Sequence, residues 1–317
     1  MTGRPLWMVG HLTVDDVVLP DGSTRMGQIG GAPVFAAAGA RMAGTEAGVV
    51  TALAPDLPPA VRSWLDRESL PVVGCGSTRS HISQWVLYER DGTRTFLHHP
   101  GSADILEAAP DPQAWTPRPG CGWAHIAPMP IDVQVGWVGT LAAQGMRVTL
   151  DPHEDCAATA ADRVLAVLPL LTAFLPSEQE AASLHGDDDM LAAATRFVAA
   201  GARICVIKIG AAGCVVATAA GVWQVPSIAA CCVDPTGAGD AFCGGFTAAL
   251  AAGADPELAA RWGTVAASYT VERFGVPPLR DGAPPDWAAR LERTRSQAVY
   301  TTQTLATAHA VGRSDRT

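Results

Sequence analysis

Gly237, Ala238, Gly239 and Asp240 stand in the stretch DPTGAGDAF, directly ahead of a long apolar run. Three residues without bulk let backbone N–H groups approach a ligand closely. A helix starting there adds roughly half a positive charge at its N-terminus. The combination makes an anion hole for a phosphate or a developing negative charge. Asp240 falls in the first helical turn beside that anion, where a carboxylate can take a proton from an attacking hydroxyl. An anion hole with an adjacent base is what phosphoryl transfer to an alcohol requires. An acidic first-turn residue is favourable in any helix, so the loop alone leaves a structural reading open beside the chemical one. Other common phosphate patterns do not occur: no Walker-type GxxxxGK run is present, and no GxGxxG follows a strand-like run.

The elements that must hold this loop read as an alternation. Short apolar runs, PLWMVG, AGVVTALAP, GWAHIAPMP, MRVTLDP, TAFLPS and RICVIKIG, have the pattern of buried strands. Between them, residues 32–43, 57–67, 132–144, 159–168 and 190–200 read as helices. This order predicts an α/β fold whose strands pair in parallel through crossover helices. Ligands collect at the carboxyl ends of such strands, where Asp151 and Ser177 fall. GCVVATAAG and GVWQVPS add two strands, followed by helices over 238–252 and 256–273. Asp255 caps the second of these, with Pro256 at its first position. DWAARLERTRSQAV reads as a last amphipathic helix, and residues 302–317 as a flexible tail.

Two segments break the alternation. Strand-like runs flank Asp91-Gly92 between His81 and His99, and others flank Asp21-Gly22 between Leu12 and Ile29. Asp-Gly between such runs signals a hairpin. The two hairpins are expected to form a small separate sheet, a lid over the site, with two unrelated surface hairpins as the plainer alternative. His98 and His99 then lie at a hairpin end, and with His153 near Asp151 they do not have the spacing of a closed tetrahedral metal site. Trp85 either faces a ligand from the lid or packs in its core.

Composition removes several classes of function. The 317 residues carry a net charge of −9 with 17% charged residues, and no Lys/Arg cluster offers a face to nucleic acid. No uncharged stretch approaches a membrane span, and the apolar part of MTGRPLWMVGHL is too short for a signal peptide. None of the 8 cysteines forms a CxxC pair, so zinc is not expected. Buried free thiols in a reducing cytoplasm are.

VDPTGAGDAFCGGF resembles the C-terminal signature of the ribokinase-like sugar kinases, the PfkB family. VGHLTVDD, GGAPVFAAAGARMAG, FLPSEQEAASL, VIKIGAAG and AASYTVERFGV resemble other pieces of that family in the same order, over roughly residues 6–280. The resemblance implies a ribokinase-like three-layer α/β/α fold, with a central mostly parallel sheet and a small β lid. One kinase domain would span 1–301, with lid segments at about 12–29 and 81–99. It implies an ATP-dependent, Mg2+-requiring kinase acting on a hydroxyl of a small sugar, polyol or cyclitol. A nucleoside kinase and a non-catalytic binding protein are the alternatives. Asp240 would be the base, and Gly237, Ala238 and Gly239 the anion hole. Asp15, with Asp16 as its rival, would grip substrate hydroxyls beside Gly30 and Gly31. Lys208, Gly210 and Gly213 would lie on the nucleotide side. Glu180 would order Mg2+ through water, and Asp234 and Thr236 would hold a monovalent cation such as K+. Lid edges could pair two subunits into a homodimer. Two positions depart from the family pattern: Phe35 stands near its usual Asn after the di-glycine, and Ser177 replaces the Asn of its Asn-x-x-Glu motif. An apolar group at 35 would favour a cyclitol or nucleoside over an open furanose.

Overall fold

The computed structural model describes residues 5–90, 94–117, 122–153, 156–186, 188–279, 282–295 and 297–301. The Asp91-Gly92 turn and the tail from 302 lie outside them. Strands β1 (Leu6–Val9), β4 (Ala47–Leu53), β5 (Val72–Ser77), β8 (Trp123–Ile126), β9 (Arg147–Leu150), β10 (Ala173–Phe174), β11 (Ile204–Lys208), β12 (Cys214–Thr218), β13 (Gly221–Val225) and β14 (Gln297–Thr301) build the main sheet. Its order is β14-β13-β12-β11-β10-β9-β8-β1-β4-β5. From β5 to β11 every pairing is parallel, and from β11 to β14 every pairing is antiparallel. The chain runs outward from β1 in both directions, so the strand order reverses beside β1. That is where open α/β sheets place their ligand crevice.

Helices cover both faces. α3 (Ile131–Ala143), α4 (Cys156–Val167), α5 (Glu178–His185) and α6 (Met190–Ala199) share one apolar core with the sheet. α1 (Ala32–Met42), α2 (Pro59–Arg67), α7 (Ala238–Ala251), α8 (Pro256–Thr270) and α9 (Trp287–Arg293) lie on the other. This is the three-layer arrangement expected. α1 and α7 cross with their backbones in contact. A methyl group built on Gly39 would sit 2.0 Å from the Ala241 carbonyl oxygen, and one on Gly244 would sit 1.8 Å from that of Ala36. A buried chain of hydrogen bonds also ties α7 to the sheet. Thr247 Oγ1 bonds Thr149 Oγ1 at 3.0 Å, and Thr149 bonds His125 Nδ1 at 2.9 Å. Burial, then the nearby Lys208 charge, pushes the His125 imidazole down to about 3, so it serves as a neutral partner.

Strands β2 (Thr13–Val18), β3 (Thr24–Gly30), β6 (Ile82–Tyr88) and β7 (Arg94–His98) form a second sheet in the order β3-β2-β6-β7. The two hairpins are therefore one unit, joined by parallel pairing of β2 with β6 from Thr13↔Ile82 to Val18↔Leu87.

Three elements differ from the sequence reading. β5 is unannounced, because its apolar start is cut short by Gly74 and Gly76. α5, eight residues long, begins at a capping box between Ser177 and Glu180, a device of two side chains rather than of periodicity. The last amphipathic stretch is not one helix: α9 stops at Arg293, and Gln297–Thr301 pairs with β13 as an edge strand. Partnering at the sheet edge overrides the helical pattern.

The helix crossing predicts opposite outcomes for two glycines. Gly39→Ala should cost on the order of 1–3 kcal/mol, because the backbone it meets has no room to yield. Gly139→Ala, on an exposed turn of α3 where a methyl meets nothing within 4 Å, should stabilise by about 0.5–1 kcal/mol. Urea unfolding of both variants checks the pair.

Candidate active site

Gly237 is the N-cap residue of α7, with φ 72° and ψ 6°, and no side chain caps the helix. Its missing side chain is required twice. The backbone is left-handed, and a methyl group there would lie 2.2 Å from the Phe35 ring. Phe35 is 3% exposed and so supports the loop from beneath. Ala238 and Asp240 are half-buried and Gly239 is exposed. The Ala238 N–H donates to the Pro235 carbonyl at 3.3 Å, no side chain caps the helix N-terminus, and one carboxylate stands in its first turn. Just before the loop, buried Asp234 accepts from Thr236 N at 2.9 Å, from Thr236 Oγ1 at 2.5 Å and from Gly275 N at 3.4 Å. Thr236 Oγ1 also bonds the Tyr88 hydroxyl at 3.0 Å, which ties the last residue of β6 to the loop.

Across from the loop lie the carboxyl ends of β9 and β11. Lys208 Nζ donates to Asp151 Oδ2 at 2.5 Å and stands 3.5 Å from Cys243 Sγ, one turn into α7. Burial, the largest single influence, would lower the Lys208 ammonium, but Asp151, Cys243 and Glu180 together outweigh it and hold the charge above its ordinary value. Glu180 is within electrostatic reach of both, and Asp240 of Asp151. Glu180 Oε2 accepts from Ser177 N at 2.6 Å, and Ser177 bridges to Lys208 through its backbone. The 3-10 turn Gly210–Ala212, with Gly213 after it, continues beyond Lys208 toward β12.

The lid supplies the third wall. Asp15 is 5% exposed and lies over Gly30, where a methyl group would fall 1.9 Å from its Oδ2. Gln84 Nε2 donates to Asp15 Oδ1 at 3.1 Å. Burial pushes the Asp15 carboxyl up to about 6, against hydrogen bonds from Thr13 and Gln84 that favour the anion. Asp16 points to the opposite face, where it accepts from Gly27 N and pairs with His99 at 3.1 Å. The Trp85 ring packs against His99 with centroids 4.2 Å apart and planes tilted by 50°, on the Asp16 face and away from Asp15.

The fold therefore gathers Asp240 and its loop, Lys208, Glu180, Asp234 and Thr236 around the end of α7. Asp15 and Gly30 belong to the lid strands β2 and β3, and Gly31 follows directly at the start of α1. Asp151, Cys243, Gln84 and Tyr88 belong to the same surroundings and were not singled out as site residues. Only Asp151, polar at a strand end, left a signal in the sequence. Of the cysteines expected to be buried, Cys231 and Cys232 are exposed, in the loop leading to Asp234. Among the described residues no helix is long and apolar enough to cross a membrane. No group of three or more metal-binding side chains forms a cage there either.

Comparison with known proteins agrees with this geometry. A family model described as pfkB family carbohydrate kinase matches residues 16–279. A cytidine kinase of Thermococcus kodakarensis is 29% identical over 280 residues, 85% of this chain and 97% of that protein. A fructokinase of Klebsiella pneumoniae is 30% identical over 282 residues, 81% of this chain and 87% of that protein. The crystal structure of a putative ribokinase II from E. coli in complex with ATP and Mg2+ aligns with TM-score 0.73. It is 20% identical and covers 92% of this chain and 99% of its own, a likeness of fold.

Asp15 has a stability signature. Its carboxyl stands at about 6 against 3.8 when unfolded, so the folded protein holds a proton that the unfolded chain releases between about pH 4 and 6. Stability attributable to Asp15 therefore falls as pH rises through that window. Asp15→Asn, which keeps an acceptor for Gln84, should be more stable than wild type by about 2–3 kcal/mol at pH 7.5, with the gap closing below pH 4. Chemical unfolding at several pH values measures it.

Proposed function

The chain belongs to the pfkB family of carbohydrate kinases, and on that premise we propose that it moves the γ-phosphoryl group of ATP onto a hydroxyl of a small sugar or nucleoside. The supporting observation is the N-terminus of α7, which no side chain caps, with Asp240 in its first turn and the Lys208 ammonium beside Gly239. Asp240 takes the proton of the acceptor hydroxyl. The acceptor oxygen bonds to the γ-phosphorus in line, the bond to the β–γ bridging oxygen breaks, and ADP leaves. Amides of Gly237, Ala238 and Gly239 receive the charge that gathers on the equatorial oxygens. Asp15, held by Gln84 over Gly30 and Gly31, accepts from two acceptor hydroxyls and fixes which one is aimed at Asp240. Lys208, Gly210 and Gly213 line the nucleotide side. Tyr88 holds the lid against Thr236 and keeps water from the phosphoryl group.

The donor set fits magnesium brought on the nucleotide rather than a protein-built cage. Glu180 and Asp240 are hard oxygen donors, each within electrostatic reach of Asp151, and Mg2+ favours one or two carboxylates with waters and substrate phosphates. Glu180 would hold it through water, and there it would offset phosphate charge. Asp234 and Thr236 are proposed to hold potassium below the loop.

A nucleoside acceptor is favoured by one finding, the cytidine kinase match that spans 85% of this chain and 97% of that protein. A homodimer through the lid is also proposed: β3 and β7 are its edges, and Met26, Phe96 and Leu97 are exposed on them. Sedimentation at twice the chain mass is the expected result, and a monomer at micromolar concentration would sink this part.

An ADP-release assay over pentoses, hexoses, cyclitols and nucleosides, run in potassium and in choline salts, tests the activity. Asp240→Asn should fold normally and lose on the order of a hundred- to ten-thousand-fold in kcat. Retention of more than a tenth of wild-type turnover would overturn its role. Equal rates in the two salts would remove potassium.

A further inference from the structure

Lys208 and Asp151 meet where three chain segments converge. Asp151 is 3% exposed and its backbone is clamped. Its N–H donates to Ile126 O at 2.9 Å, and its carbonyl accepts from Gln134 Nε2 at 2.7 Å. Gln134, wholly buried in α3, donates from the same nitrogen to Ala127 O at 2.8 Å and so stitches the carboxyl ends of β8 and β9 together. A carboxylate carried on such a backbone has a fixed direction. Cys243 Sγ donates to the same Oδ2 at 3.4 Å from the α7 side.

An ammonium has three donors. In Lys208 one is taken by Asp151 and a second faces Cys243. The loop residue Gly239 lies alongside, where a methyl group would come 3.8 Å from Nζ. The Lys208 side chain remains 13% exposed, against 4% for Asp151, so the pair presents its cation to the cleft and its anion to the interior. A surplus donor on a fixed cation next to an anion-binding loop is suited to phosphate oxygens.

We propose that Lys208 is a catalytic residue whose ammonium meets the transferred phosphoryl group beside Gly239, and that Asp151, clamped by Gln134, is the positioning residue that aims it. This rests on the kinase reading above and adds a division of labour to it. The loop amides receive charge from the α7 side, Lys208 receives it from the sheet side, and Asp151 acts only through Lys208.

The test is a double-mutant cycle in the full chain. Lys208→Met should lower kcat at least thirtyfold with the acceptor KM within threefold of wild type. Asp151→Asn should lower kcat less at pH 7 and progressively more as pH rises. Without that carboxylate, burial favours loss of the Lys208 proton; the other groups facing it are Cys243, Glu180 and His125, with Asp240 beyond Asp151. The double variant Asp151→Asn/Lys208→Met leaves no buried charge unpaired and is the safeguard should Lys208→Met fail to fold. It should be no slower than Lys208→Met, or at least thirtyfold below wild type if the single variant does not fold. A folded double variant with more than a third of wild-type kcat overturns the proposal. So do single effects that multiply in the double variant, or an Asp151→Asn profile parallel to wild type. If wild type turns over no acceptor, the kinase reading falls separately, and calorimetry with ATP and with AMP decides. Loss of ATP affinity with AMP binding unchanged in the double variant upholds a phosphate site at Lys208, and equal ATP affinity refutes it.

Discussion

Two helices in contact backbone to backbone fix where the loop proposed to receive negative charge stands. Because Gly39 and Gly244 let α1 and α7 touch without side chains between them, the first turn of α7 is fixed relative to the sheet. Phe35 then fills the space beneath Gly237, and Thr247 reaches Thr149 and His125 across the sheet. Every donor of the loop is a main-chain group, so its geometry can be no better than the placement of the helix. A loop supported this way loses little freedom when an anion arrives, and preorganisation of that kind is what makes electrostatic stabilisation effective.

The charges around the loop are arranged with the same economy of motion. Two carboxylates, Glu180 and Asp240, lie within electrostatic reach of a third, Asp151, and the Lys208 ammonium is bound to that third. Glu180 is engaged at the start of α5, Asp151 is bound to Lys208, and the region still carries an excess of negative charge that a divalent cation can offset. A buried ion pair contributes little to stability by itself. Its retention at the mouth of a cleft makes more sense as orientation of one charge by another.

How much could be read beforehand depended on whether the chemistry was local in the chain. The loop and Asp240 are contiguous, and their proposed action rests on backbone and one side chain, so DPTGAGDAF is enough to raise it, though not to decide it against a plain helix start. The alternation of strands and helices and the Asp21-Gly22 hairpin were equally legible, since period and turn chemistry are short-range. Asp151 and Lys208 are 57 positions apart and meet only because β9 and β11 flank β10. Phe35 looked like a change in a ligand site, and only the fold shows its ring under Gly237. The strand at Gln297–Thr301 was hidden for the same reason: its partner β13 lies more than 70 residues earlier, and nothing within the segment announces it.

The parallel pairing of β2 with β6 has a bearing on how the molecule comes into being. Thr13 and Ile82 are neighbours, yet α1, β4, α2 and β5 are threaded between them. Neither hairpin is large enough to persist unaided in water, and closing so long a connection must precede any reward from the pairing. The small sheet therefore relies on the main body to bring its two hairpins together, and its Tyr88–Thr236 bond fastens it to a segment near the far end of the sequence. Its integrity is thus a report on the packing of the whole chain rather than of either hairpin.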